Sequence, residues 1–130
     1  MSILFLVLAA LAGFAFGAIW YTALAKPWMR LSGVPLEGDA PANRSDPVPY
    51  VSGLVAALVT AVMMNQLFAA AGIDSAGAGL LWGLGLGAFV AAPWLVTCYG
   101  FAARPRGLML IDAGYATGGS GAIGLVLGLT

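Results

Sequence analysis

The stretch ILFLVLAALAGFAFGAIWYTAL, Ile3 to Leu24, contains no charged residue. It has the length, about 20 apolar residues, that a helix needs to cross the hydrocarbon of a bilayer. It lacks the basic lead-in of a secretory signal peptide, so it is expected to remain in the membrane as a helix. Three comparable runs follow: Val48–Ala71, Ala76–Ala103, and Gly107–Thr130, the last interrupted only by Asp112. Their richness in Gly and Ala, poor for a soluble helix, is common in membrane helices.

Composition agrees. Of 130 residues, 62% are hydrophobic and 8% charged, against about 25% charged in a soluble domain. So few charges cannot cover a water-facing surface, and the solvent for most of the chain is lipid. Net charge is zero and no basic patch is present, which argues against a nucleic-acid partner. There is no His and one Cys, Cys98, which excludes an internal disulfide and a Cys/His zinc site. Cys98 lies in an apolar run and reads as a buried free thiol. No catalytic, cofactor or metal site is expected.

The reading is an all-α, integral membrane four-helix bundle: one transmembrane domain, 1–130, with helices at about 3–24, 48–71, 76–103 and 107–129. All five basic residues fall in two connections, Lys26, Arg30 and Arg44 in the first and Arg104 and Arg106 in the third. By the positive-inside rule those connections face the cytoplasm, which puts both termini outside (N-out/C-out) and makes 25–47 a cytoplasmic loop. Within it, KPWMRL can lie along the headgroups with Trp28 as anchor and Lys26 and Arg30 towards anionic lipid. EGDAPANRSDPVP has the Pro, Gly and Asp content of a loop.

Lipid supplies no hydrophobic drive for helix association, so small residues that allow close approach matter. Gly13 and Gly17 form a GxxxG pair, and Gly79, Gly83 and Gly87 form two in succession. In the fourth run Gly114, Gly118, Gly121 and Gly128 fall on one face at about 100° per residue. Asp112, Ala116, Gly119 and Ile123 fall near the opposite face. A helix so built is expected to be contacted on both sides, either at the centre of the bundle or against another chain. Pro93 should kink the third helix and free a carbonyl near Phe89.

Asp112 lies six residues after Arg106, about 9 Å along its helix. A charged Asp at a helix centre costs about 2.5–3.5 kcal/mol, less near the edge. At the same depth the first helix brings Trp20 and Tyr21, the third brings Tyr99, and Arg104 and Arg106 lie just above. The expectation is a cluster in which Tyr21, Trp20 or Tyr99 hydrogen-bonds Asp112 and Arg104 or Arg106 is its counter-ion. A clamp between helices is preferred to a proton relay, because no His and no second buried acid accompany it. Asn65 and Gln66 read as interhelical hydrogen-bonders or interface residues, Trp82 as an interface anchor, and Trp94 as packed against a neighbour or a bound hydrophobe.

The segments GAIWYTALAKPWM (Gly17–Met29) and GFAARPRGLMLIDAGYA (Gly100–Ala116), with the four-span layout, resemble the bacterial "domain of unknown function 1761" family over nearly the whole chain. The resemblance implies a small four-helix membrane protein with Trp20, Tyr21, Trp28, Pro105, Asp112, Gly114 and Tyr115 as signature positions. It supplies no activity, substrate or cofactor. Asn65 departs from the family pattern, in which a basic residue is expected. A bacterial origin would place the chain in the inner (cytoplasmic) membrane. The expected function is non-enzymatic: an accessory or structural subunit of a larger membrane complex, or a homo-oligomer, with lipid and other membrane subunits or itself as partners. The alternative is a small oligomeric transporter or channel using Asp112.

Overall fold

A computed structural model describes residues 3–130. Four helices long and apolar enough to cross a membrane dominate it: α1 (Ile3–Ala23), α3 (Pro47–Ala71), α4 (Ala76–Phe101) and α5 (Arg106–Gly128). A short amphipathic helix, α2 (Ala25–Ser32), follows α1 after a break at Leu24. The fold is all-α apart from a two-residue hairpin, β1 (Leu36–Glu37) and β2 (Ala40–Pro41).

The boundaries have local causes. Asp46 caps α3, its carboxylate accepting from Val48 N–H at 3.0 Å, and Pro47 supplies the preset φ of a first helical turn. Gly72 at φ 71° closes α3 with an N–H bond to Phe68 O. Ser75 caps α4 through Ala78 N–H. At the other end of α4 the chain leaves α geometry at Ala102, so Ala103 lies outside the helix that the sequence led us to extend through it. Ala103 takes φ 55°, and Arg104 N–H reaches back to Tyr99 O at 2.9 Å.

Three features depart from expectation. The stretch read wholly as loop holds the β1–β2 hairpin, turned by Gly38 at φ 66° and flanked by an exposed Arg44–Glu37 pair at 3.5 Å. Ahead of Pro93, α4 makes a π turn over Gly87–Ala91, with Ala92 N–H bonded to Gly87 O. The ladder thus slips by one residue just before the position that has no N–H to give. Cys98, read as buried, is exposed on the outer side of α4, because Tyr99 is the residue turned inward there.

Helix α5 is the centre, packed chiefly against α4 and α1, while α3 packs mainly on α1. Both faces of α5 are contacted, as the residue pattern implied: Ile123 and Gly119 of the second face lie against Gly13 of α1, and Ala116 against Gly87 of α4. Gly114 and Gly118 receive Trp20 and Phe16 of α1, whereas Gly121, Gly124 and Gly128 meet α4. The reason is that both neighbours need small residues: α1 presents large aromatics, and α4 presents Leu80 and Leu84 at Gly121 and backbone at Gly124 and Gly128. Gly79 and Gly83 lie directly against the α5 backbone at Gly124 and Ser120, and Gly87 against Ala116 and Thr117.

The molecule has two unlike ends. Towards the α3–α4 turn lies an apolar core of Ala9, Ala10, Ala57, Ala61, Met64, Phe68, Ile123 and Leu127. Towards α2 lie the aromatic and polar side chains. Large apolar residues cover the outside, among them Phe89 at 83% and Phe101 at 91% exposure, as a lipid-facing surface requires. Trp94 belongs to that surface too, at 70% exposure, and is not packed within the protomer.

Candidate functional site

Asp112 stands in the second turn of α5, at the end where α1 finishes and α4 finishes. Tyr21, in the last turn of α1, donates its hydroxyl to Asp112 Oδ1. Tyr99, in the last turn of α4, donates its hydroxyl to Oδ2 at 2.6 Å. Both carboxylate oxygens are therefore engaged, each by a different helix, and one side chain ties α1, α4 and α5 together.

Three members of the expected cluster are placed otherwise. Trp20 does not reach Asp112; its Nε1–H donates to the backbone carbonyl of Ile111 at 2.8 Å. The cause is the ring's stacking on Phe16, at 5.7 Å and 21°, with its edge seated on Gly114. That geometry points the indole nitrogen at the helix wall. Neither arginine is the counter-ion. Arg104 donates to the carbonyl of Ser32 at 2.6 Å, at the C-terminal end of α2, where the helix dipole favours a cation. Arg106 is exposed. Among the described residues the ion pair is Arg44–Glu37, in the loop and away from Asp112.

The remaining wall is aromatic. Tyr115 meets Tyr21 edge-on at 5.3 Å, and Trp28 of α2 meets the same ring edge-on at 6.1 Å. Tyr115 occupies the space left by Gly17, where a Cβ would come within 2.6 Å of its ring. Large side chain and glycine thus alternate across the α1–α5 seam: Tyr115 on Gly17, Trp20 on Gly114, Phe16 on Gly118, and Ile123 on Gly13. Leu31 of α2 closes over Gly107 in the same manner. Phe16 was not singled out from the sequence. Its signal was the spacing Phe16–Trp20 on one helix against Gly114–Gly118 on another, legible only once the two helices are known to be neighbours.

Asn65 and Gln66, read as interhelical hydrogen-bonders or interface residues, make no side-chain hydrogen bond with any described residue. Asn65 is half-buried, and Gln66 is exposed on the outer side of α3.

Chemically, the site is a carboxyl group held by two phenols inside a wall of rings. No cluster of three or more His, Cys, Asp or Glu occurs among the described residues. The model of the family described as "Protein of unknown function (DUF1761)" matches residues 4–128. No curated protein and no solved structure gives a match.

Proposed function

The chain belongs to the DUF1761 family, and from that premise we propose that it is a non-enzymatic membrane subunit, working in a larger membrane complex or as a homo-oligomer. The observation that carries this reading is the engagement of both oxygens of Asp112 by other helices. Both oxygens accept from phenols on two other helices, so the acid is used in joining helices. The role assigned to Asp112 is a polar clamp.

The proposed location is the bacterial inner membrane, with loop 25–47 in the cytoplasm. Its support is the gathering of Lys26, Arg30, Arg44, Arg104 and Arg106 at one end of the bundle. Gentle extraction from native membranes, followed by native gel and mass spectrometry, tests the subunit reading. Migration at fixed stoichiometry with other subunits, or as a homo-oligomer, is expected; a lone monomer overturns it.

A transporter is the second reading, favoured by the π turn in α4, since such turns recur at functional sites, together with an acid that has no cationic partner. It predicts proton-coupled flux in reconstituted vesicles that is lost in Asp112→Asn. The clamp predicts no flux in either protein.

A further inference from the structure

Helix α2 is held on the bundle by its apolar side. Trp28 meets Tyr21 of α1 edge-on, and Leu31 covers Gly107 of α5. Lys26 and Arg30, one turn apart, are left on the exposed edge of the helix. The same contacts bring further cations to that edge. Leu31 follows Arg30, and the Gly107 it covers follows Arg106. From the α4–α5 connection, Arg104 donates through Nη2 to the carbonyl of Ser32 at 2.6 Å, two residues beyond Arg30. Three guanidinium groups from three segments thus gather at the junction of α2 with α5, and all three residues are exposed.

No acid is seen to offset them. Among the described residues the ion pair is Arg44–Glu37. Asp46 is taken up by the first turn of α3, Asp39 stands in the hairpin turn, and Asp112 is engaged by Tyr21 and Tyr99. Arg30 and Arg106 make no side-chain hydrogen bond or ion pair with any described residue, and Arg104 has further N–H donors beyond the one on Ser32. Like charges gathered in this way repel one another, and an anion shared among them is attracted by all. The planar fork of arginine matches the oxygens of a phosphate in particular.

The surface one turn deeper says which kind of phosphate. Leu110 follows Arg106 by four residues on the same face of α5 and is 75% exposed, and Phe101, which ends α4, is 91% exposed. Guanidinium groups above bare apolar side chains match a molecule that carries its phosphate above hydrocarbon. A small soluble anion would use the cations and leave the apolar surface uncovered. We propose that the α2–α5 junction binds the phosphodiester of an anionic phospholipid from the leaflet on that side, with the acyl chains along Leu110 and Phe101. Such a site serves a subunit and a transporter alike.

The test is native mass spectrometry of the full chain, extracted in mild detergent and offered phosphatidylglycerol or phosphatidylcholine with the same acyl chains. Preferential retention of phosphatidylglycerol is expected, falling as ionic strength is raised. Arg30→Gln and Arg106→Gln are each expected to weaken that retention about fivefold. Neither side chain has a partner in the fold among the described residues, so both variants keep it. Arg44→Gln, in the hairpin loop, is expected to leave retention unchanged. Equal retention of the two lipids overturns the proposal, and that comparison needs no variant. A loss in Arg44→Gln equal to that in Arg30→Gln also overturns it, since attraction is then diffuse and not seated at the junction. Glycerol 3-phosphate competing as well as phosphatidylglycerol, mole for mole, overturns it in favour of a soluble anion.

Discussion

At Asp112 a single side chain carries the junction of three helices, so the two phenols should be separable by mutation. Tyr21→Phe and Tyr99→Phe are each expected to cost about 1 kcal/mol, as for hydrogen bonds inside membranes, measured by equilibrium unfolding in mixed micelles. Asp112→Leu removes the acceptor for both hydroxyls and leaves them unpaired, so it should cost about 2–3 kcal/mol. If all three variants unfold with the wild type, Asp112 is not a clamp. Ala103 offers a change of opposite sign. It holds φ 55° without being glycine, a conformation in which a Cβ costs roughly 1–2 kcal/mol. Ala103→Gly is expected to stabilise by about 0.5–1 kcal/mol in the same assay, the remainder being lost to unfolded-state freedom. The presence of Tyr21 and Tyr99 beside Asp112 was legible in the sequence, because helix rise is constant and residues at equal depth can be matched by counting. The acceptor of Trp20 and the destination of Arg104 were not. They depend on how far each helix turns about its axis and on α2, whose carbonyl at Ser32 draws the arginine away.

At the scale of the element, the glycines of α4 sort into two kinds. Gly79, Gly83 and Gly87 lie against the backbone of α5, where no flexible side chain can move aside. Gly77 and Gly85, on the same helix, have nothing within 4 Å. Gly83→Val is therefore expected to separate α4 from α5 and abolish recovery of folded protein, whereas Gly85→Ala should leave yield and melting unchanged. Purification in mild detergent with size-exclusion chromatography distinguishes the two, and a well-folded Gly83→Val would refute the backbone contact. GxxxG spacing marked Gly79, Gly83 and Gly87 from the sequence. It did not tell which partner each faces, since spacing specifies a stripe on one helix and says nothing of its neighbour. The π turn likewise needed the three-dimensional structure. Pro93 demands some accommodation of the missing N–H, and the slipped ladder over Gly87–Ala91 provides it.

For the whole molecule, the proposed topology of four spans puts both ends of the chain on one face of the membrane. With the basic connections inward, a periplasmic reporter such as alkaline phosphatase fused after Thr130 is expected to be active, and one inserted near Asp39 inactive. The reverse pattern would overturn the orientation. What the sequence determined unaided is the number of helices long and apolar enough to cross a membrane and the place of each residue along its helix. These follow from hydropathy and from a fixed rise per residue, both local quantities. What only the tertiary structure decided is adjacency: that α5 is central, that α1 and α4 share its glycine face, and that α3 keeps an open side. In lipid every apolar face has similar affinity for its surroundings, so hydropathy cannot rank helix pairs. Shape does so instead, rings into glycines and backbone against backbone, and shape exists only after the chain has folded.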